Sequence, residues 1–202
     1  MGIKAVVFDF GGVLIDWNPR YLYNKIFKTE AETEYFLTHV CTPQWNWRMD
    51  KDKTFAESVA ELKAVYPEYA EQIEMFDTRW EEMLGAVNEE TVGVLKDAAK
   101  AVPVYGLTNW SAEKFALVRP KYAFMDIFDG IVVSGVEKQA KPEEPIFRIL
   151  LDRYGLNAEE TFFTDDSLPN VNTAKRLGFQ AYPFVSAADL REKLTASGIW
   201  KS

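Results

Sequence analysis

Short apolar runs recur along the chain, and each one stops at polar or glycine residues. This pattern is typical of buried parallel strands that end at tight turns, because both faces of such a strand are covered. The runs cover residues 5–8, 102–107, 131–133, 161–164 and 181–185. The sequence therefore predicts five strands of one parallel sheet.

Helical periodicity occupies two of the intervals between these predicted strands. Residues 92–100 place Val92, Leu95 and Ala99 on one stripe, and Asn88 is suited to cap that helix. After Pro145, apolar residues recur at helical spacing until Gly155, a residue type that often ends helices. Strands that alternate with helices predict a doubly wound parallel α/β sheet.

Residues from about 17 to 86 break this alternation and carry only helical signals. Two capping-box signatures, Thr29 with Glu32 and Thr54 with Glu57, mark helix starts. The segment also holds four of the six tryptophans, which we expect mainly to pack a small core, with substrate contact as the alternative. We predict an all-helical insert, residues 17–86, within an α/β core formed by residues 1–16 and 87–202.

The composition of the chain argues against some classes of binding partner. The chain has 31 acidic and 23 basic residues and a net charge of -8, which is unfavourable for binding a nucleic-acid backbone. The apolar stretch at residues 3–15 is interrupted by Lys4 and Asp9 and is too short to span a bilayer. A single cysteine, Cys41, allows no internal disulfide. We expect a cytoplasmic protein without nucleic-acid or membrane partners, and either a monomer or a homodimer.

Polar residues at the predicted strand ends are the candidates for chemistry, because ligands of open parallel sheets bind beyond the carboxyl ends of the strands. Three grouped carboxylates repel one another unless a cation or a proton offsets their charge, and oxygen ligands suit Mg²⁺. The candidate residues are Asp9, Thr108, Asn109, Lys141, Asp165 and Asp166. Their types predict a magnesium site at this edge of the sheet.

Four motifs, in this order and at strand ends, resemble those of the haloacid dehalogenase-like hydrolases, and specifically members with a helical cap inserted after the first motif. The resemblance spans nearly the whole chain. The motifs are Asp9-Phe10-Gly11-Gly12-Val13, Leu107-Thr108-Asn109, Lys141-Pro142 followed by Pro145-Ile146-Phe147, and Asp165-Asp166 with Asn170 and Gly178.

The resemblance implies a role for each of these positions. Asp9 would be the nucleophile that accepts a phosphoryl group, and a magnesium ligand together with the Gly11 carbonyl, Asp165 and Asp166. Thr108 and Lys141 would be catalytic groups that hold the phosphate, and Phe10, Gly11 and Asn109 would complete the substrate contacts. The implied reaction is hydrolysis of a small organic phosphate, such as a sugar phosphate, through an aspartyl-phosphate.

One position departs from most phosphatases of this family, which carry an acid–base aspartate two residues after the nucleophile. This chain has Gly11 there. General acid–base catalysis contributes about a hundred- to ten-thousandfold, so a substitute such as Asp16, or a good leaving group, is needed. The Asp-x-Gly-x-Val form is similar to a subgroup that includes bacterial glucose-1-phosphate phosphatases, and an anomeric phosphate would suit a weakened acid.

Two other functions remain open. A metal-independent 2-haloacid dehalogenase needs no acid for its halide, although Asp165-Asp166 is a feature of metal sites. A non-catalytic domain that binds a metabolite or a protein is the other alternative, and Gly11 is its best argument. Among the remaining residues, we expect His39 and Cys41 to be structural, and Gln44, Trp45 and Arg48 are candidate sugar contacts from the insert.

Overall fold

The computed structural model describes residues 2–200, which contain one five-stranded parallel sheet and one two-stranded antiparallel ribbon. In chain order the strands are β1 (Ala5–Phe8), β2 (Ile15–Trp17), β3 (Leu84–Val87), β4 (Val104–Thr108), β5 (Gly130–Val133), β6 (Thr161–Asp165) and β7 (Gln180–Pro183). The parallel sheet has the order β5-β4-β1-β6-β7, and the ribbon pairs β2 with β3. All five predicted strands are therefore confirmed.

Eleven α-helices connect and cover these strands within the described residues. They are α1 (Arg20–Tyr23), α2 (Glu30–Tyr35), α3 (Pro43–Lys51), α4 (Phe55–Val65), α5 (Ala70–Thr78), α6 (Glu89–Ala99), α7 (Ala112–Val118), α8 (Ser134–Glu137), α9 (Glu144–Tyr154), α10 (Leu168–Arg176) and α11 (Ala187–Ala196). A π-helix covers Phe36–Val40. Within residues 2–200, no helix is both long and apolar enough to cross a membrane.

The two predicted core helices form as their end signals indicate. Asn88 caps α6 by accepting a hydrogen bond from the Thr91 backbone N–H. Gly155 ends α9 with a φ of 62°, a left-handed conformation that glycine adopts without steric cost.

Successive side chains of the parallel strands point to opposite faces of the sheet and pack into two apolar layers. On β1, Val6 and Phe8 belong to one cluster, together with Leu95 of α6. Val7 belongs to the other cluster, together with Ile146 of α9. Helices thus cover both faces of the sheet, which confirms the doubly wound α/β fold.

The segment between the two ribbon strands builds an aromatic core of its own. Both predicted capping boxes form, at the starts of α2 and α4. The ring of Tyr23 lies 4.7 Å from that of Phe36, and Trp45 lies 4.9 Å from Phe76. This core is continuous with the apolar layer on one face of the sheet, so the insert packs firmly on the α/β core.

The prediction of a wholly helical insert is wrong at its ends. Apolar residues recur at helical spacing from Tyr69 to Leu84, but helix α5 ends before Arg79, and the chain continues as a 3₁₀ turn, Trp80–Met83, and then as strand β3. Pairing with β2 over-rides the helical periodicity there, because tertiary contacts outweigh local propensity. The domain boundaries near residues 17 and 86 stay a prediction, and each falls within a ribbon strand.

Candidate active site

The carboxyl ends of three adjacent strands bring the predicted site residues together. Strand β1 lies between β4 and β6. Asp9 follows β1 and donates its backbone N–H to the Thr164 carbonyl at 3.0 Å. Thr108 ends β4 and Asp165 ends β6, so the parallel register places these three side chains at one edge.

Three carboxylates form a compact acidic cluster. Asp9, Asp165 and Asp166 each offer an oxygen, and these atoms lie within 4.8 Å of one another. Burial and the charge of Asp165 raise the pKa of Asp9 well above its ordinary value. Hard oxygen donors at this spacing match the preference of Mg²⁺, so the residues present fit that ion.

Lys141 is the buried cation of the site. Its Nζ lies 2.8 Å from Asp9 Oδ1 and 2.6 Å from Asp165 Oδ2, and it donates to the Leu107 carbonyl at 2.7 Å. Burial lowers the pKa of Lys141, but the carboxylates of Asp165 and Asp9 outweigh that effect, so its pKa is raised. The ammonium therefore stays charged between the two carboxylates.

Asp165 is fixed by the turn that follows β6. Its Oδ1 accepts hydrogen bonds from the Ser167 backbone N–H at 2.8 Å and from Asn170 Nδ2 at 2.9 Å. Together with Lys141, these donors satisfy a fully buried carboxylate. Asn170 thus helps to hold the Asp165 carboxylate in place within the cluster.

The Thr108 hydroxyl is buried and has no hydrogen-bond partner among residues 2–200. Buried polar groups are nearly always paired, so an unpaired hydroxyl at a strand end is suited to receive a ligand oxygen. Thr108 lies on the strand adjacent to β1, beside the acidic cluster.

The glycine pair after Asp9 lets the chain turn close to this cluster. Gly12 has a φ of 71°, and a Cβ at this position would overlap the Asp166 carboxylate. Its N–H donates to the Ile15 carbonyl at 2.9 Å, which closes the turn. Gly11 is half-buried and lies at the surface of a cavity above the sheet edge.

Two predicted substrate contacts have other roles. The Phe10 side chain is fully buried against Phe128, with the rings 5.2 Å apart, so only its backbone could contact substrate, and that contact stays a prediction. Asn109 forms a pair of hydrogen bonds with the Lys141 backbone, each 2.8 Å long. Asn109 therefore positions Lys141, although its side chain also borders the cavity.

A cavity of about 110 Å³ separates the sheet edge from the insert. Apolar and aromatic side chains form most of its wall, and two polar residues come from α3. The lining residues are Gly11, Ile15, Trp17, Asn46, Asp50, Trp80, Leu84, Asn109 and Trp110.

Helix α3 is anchored directly to the catalytic edge. Trp47 Nε1 donates to the Lys141 carbonyl at 2.8 Å. The Ser134 hydroxyl donates to the Asp50 carbonyl, which ties the end of α3 to α8. These contacts hold Asn46 and Asp50, which are one turn apart, at the cavity wall.

Other candidates from the sequence lie elsewhere. Gln44 and Arg48 are exposed, Trp45 packs in the aromatic core of the insert, and none of the three lines the cavity, so their predicted sugar contacts stay a prediction. Ile15 and Trp17 of β2 line the cavity, but Asp16 between them is exposed and accepts a hydrogen bond from the Tyr21 hydroxyl. Strand alternation thus turns Asp16 away from the cavity.

His39 and Cys41 also lie outside the cavity. His39 is exposed and stacks on Tyr35 at 4.5 Å. Cys41 is buried, and burial raises the pKa of its thiol, which keeps it protonated and unreactive. Neither residue lines the cavity, and their structural role stays a prediction.

Asn46 and Asp50 are the site residues that the sequence analysis missed. They stand at positions i and i+4 of α3, and Asn46 Nδ2 donates to Asp50 Oδ2 at 3.0 Å. Their helical spacing was visible in the sequence. Nothing in the sequence, however, indicated that this face of α3 would meet the catalytic edge.

Two characterised relatives are similar to most of this chain. The sesquiterpene phosphatase astK of Aspergillus oryzae (strain ATCC 42149 / RIB 40) is 29% identical over 87% of this chain and 86% of its own length. The D-ribitol-5-phosphate phosphatase of Bacteroides thetaiotaomicron is 24% identical over 96% of this chain and 97% of its own.

A solved structure and a family profile extend the comparison to the fold. The HAD family enzyme bt-2542 of Bacteroides thetaiotaomicron, in complex with magnesium and inorganic phosphate, superposes with a TM-score of 0.71 at 26% identity, over 92% of this chain and 96% of that one. The profile of the haloacid dehalogenase-like hydrolases matches residues 3–178. The chain therefore belongs to the haloacid dehalogenase-like hydrolase family.

Proposed function

We propose that the protein is a magnesium-dependent phosphatase that hydrolyses a small organic phosphate through an aspartyl-phosphate on Asp9. The observation that carries this proposal is the meeting of one acidic cluster, Asp9, Asp165 and Asp166, with the buried cation Lys141 and the unpaired hydroxyl of Thr108. Together these groups supply a nucleophile, a hard-cation site and two side chains that can donate hydrogen bonds to a phosphate.

The roles follow from where charge develops during phosphoryl transfer. Such reactions spread negative charge over the non-bridging oxygens, so positioning and fixed donors supply most of the catalysis. Asp9 attacks phosphorus, and Lys141 and Thr108 donate to the non-bridging oxygens. When bound by Asp9, Asp165, Asp166 and the Gly11 carbonyl, magnesium would neutralise charge on the transferred group.

The relatives support this reading. Two are named as phosphatases, and the related bt-2542 structure holds both magnesium and inorganic phosphate. The acidic cluster of this chain suits the same ion. A metal-free dehalogenase would have no use for the third carboxylate, Asp166.

The cavity favours a small organic group. Its volume of about 110 Å³ is of the same order as the ~150 Å³ of a cavity that holds benzene, so it suits the part of a small ester next to the phosphate better than a sesquiterpenyl chain. Trp17, Trp80 and Trp110 offer flat faces, and Asn46 and Asp50 offer polar atoms, as a polyol requires. A sugar or sugar-alcohol phosphate, with glucose 1-phosphate as one candidate, fits best.

The test is release of inorganic phosphate from a panel of esters, with magnesium and with a chelator. The panel holds glucose 1-phosphate, ribitol 5-phosphate and a sesquiterpenyl phosphate. We expect release that requires magnesium and falls to background in Asp9→Asn. Halide release from a 2-haloacid without phosphate release would favour the dehalogenase, and ligand binding without turnover would favour a metabolite-binding domain.

A further inference from the structure

We propose that Asp50 of α3 is the general acid that protonates the leaving group, and so supplies from the insert the group that the first motif lacks at Gly11. This role rests on the proposed phosphatase function. It names a further catalytic residue for that reaction and explains how a chain with glycine at this position can act on esters whose leaving group needs a proton.

The position of Asp50 carries the inference. Gly11 and Asn109 form the core side of the cavity, and Asp50 and Asn46 form part of the insert side. Among the described residues that line the cavity, Asp50 is the only one with a carboxyl group. In-line displacement puts the leaving oxygen opposite the attacking carboxylate, and Gly11, two residues after Asp9, lies on the cavity, so we place that oxygen on the side that α3 covers.

The surroundings of Asp50 favour its protonated form. Burial raises the pKa of the Asp50 carboxyl to about 7, while hydrogen bonds from the Ser111 backbone and from Asn46 act in the opposite direction. An acid with a pKa near the working pH is best suited to donate a proton. The aromatic wall of Trp17, Trp80 and Trp110 provides the low-polarity environment that has this effect.

Most charged groups on the elements around α3 form ion pairs of their own, and burial rather than a neighbouring charge raises the pKa of Asp50. On α3 itself, Lys51 pairs with Glu143. The pairs on neighbouring elements are Glu137 of α8 with Arg153, Lys114 of α7 with Asp77, Glu61 of α4 with Lys53, and Lys63 of α4 with Glu74. At the sheet edge, Lys141 pairs with Asp9 and Asp165.

In the proposed reaction, the proton that Asp50 gives to the leaving group is later replaced by one from water. As Asp9 forms a bond to phosphorus, the bond from phosphorus to the ester oxygen breaks, and protonated Asp50 gives its proton to that oxygen. The products are an alcohol, an aspartyl-phosphate and the Asp50 carboxylate. When water attacks the phosphoryl group, the Asp50 carboxylate accepts its proton, so that Asp50 is restored as an acid.

The test compares two phosphate esters with different need for a proton. Ribitol 5-phosphate releases an alkoxide unless it is protonated, whereas 4-nitrophenyl phosphate releases a stable anion. We measure kcat/KM, which reports the steps up to release of the first product, for the wild type and for Asp50→Asn. We expect a fall of about a hundredfold or more for the alkyl ester, and a much smaller change for the aryl ester.

Two variants control for a change of charge alone. Asp52→Asn alters an exposed carboxylate two residues away, and Asp16→Asn alters the carboxylate named above as a candidate substitute for the missing acid. We expect neither to change the ratio of the two kcat/KM values. A carbon-13 NMR titration of the Asp50 carboxyl gives a readout independent of turnover and should place its pKa near 7.

The pH profile sharpens the test. Because the protonated form of Asp50 is required, kcat/KM for the alkyl ester should fall as pH rises above about 7, and this limb should be absent for the aryl ester. Equal losses on both esters in Asp50→Asn, or no loss on either, would overturn the role. A wild type that hydrolyses neither ester would overturn the phosphatase function and this role with it.

Discussion

The sheet edge and the insert wall face each other across one cavity, but they are built in different ways. At the edge, charged groups are buried and bound to one another, with Lys141 within 2.8 Å of Asp9 and 2.6 Å of Asp165. The wall holds two tryptophans, Trp17 and Trp80, and Asp50 is its single carboxyl group among the residues described. We infer that the edge carries the phosphoryl chemistry, and that the wall selects the leaving group and protonates it.

This difference predicts that substitutions at the edge abolish turnover of every ester, whereas substitutions at the wall change the relative rates at which different esters are hydrolysed. In the proposed reaction, edge residues would contact the phosphoryl group, which every substrate shares. Wall residues would contact the organic group, which differs from one substrate to the next. The predictions below test this division in order of expected effect.

The largest effect is expected for Asp9→Asn. Loss of the nucleophile should lower kcat by about ten-thousandfold or more on every ester, because no aspartyl-phosphate forms. The fold should persist, since asparagine has nearly the same shape. Phosphate release and thermal unfolding measure the two properties, and turnover that survives in Asp9→Asn would remove this residue from the mechanism.

Lys141→Met is expected to reduce both activity and stability. The variant leaves Asp9 and Asp165 buried without their cation, which should lower the free energy of unfolding by about 3 kcal/mol or more, and kcat by about a hundredfold or more. Urea unfolding without magnesium measures the first quantity. The control is Lys51→Met, which breaks a half-exposed pair with Glu143 and should cost about 1 kcal/mol or less.

A change at the exposed edge of the acidic cluster should weaken magnesium binding. Asp166→Asn keeps the shape of the side chain but removes one charged ligand, so the Kd for magnesium should rise at least about tenfold. Isothermal titration with the metal alone measures this change without turnover. An unchanged Kd would show that Asp166 is not a ligand.

The smallest effect is expected for Trp17→Ala in the wall. The loss of one flat face should raise KM by about tenfold for the preferred ester, and should leave kcat for 4-nitrophenyl phosphate nearly unchanged. Trp45→Phe is the matched control, because Trp45 packs against Phe76 away from the cavity and should affect stability alone. An equal fall in kcat on all esters would break the division between edge and wall.

The edge was predictable because local and topological signals agree there. Apolar runs that stop at Asp9, Thr108 and Asp165 fix where strands end, and a parallel sheet brings such ends to one side. Phe10 belongs to the same motif as Asp9, but its side chain packs into the core, which leaves only its backbone for the predicted substrate contact. The motif thus indicated where the site lies along the chain, but not which of its side chains point into the site.

The wall was not predictable, because it depends on how the insert packs. Residues Asn46 and Asp50 reach the cavity only because Trp47 and the Asp50 backbone bind the core. The β2–β3 ribbon was missed for the same reason, since pairing between residues almost seventy positions apart leaves no local periodicity. Asp16 shows the consequence of missing this ribbon. It was a candidate acid, but its neighbours Ile15 and Trp17 on β2 line the cavity and Asp16 does not.

The most direct test of the account is to trap the phosphorylated enzyme. The protein is mixed with magnesium and its best ester, quenched in acid within one turnover, and digested for mass spectrometry. The account predicts one added phosphoryl group on the peptide that contains Asp9, absent in Asp9→Asn and absent with chelator. Phosphate release at full rate with no phosphorylated peptide, or with the group on another residue, would contradict it.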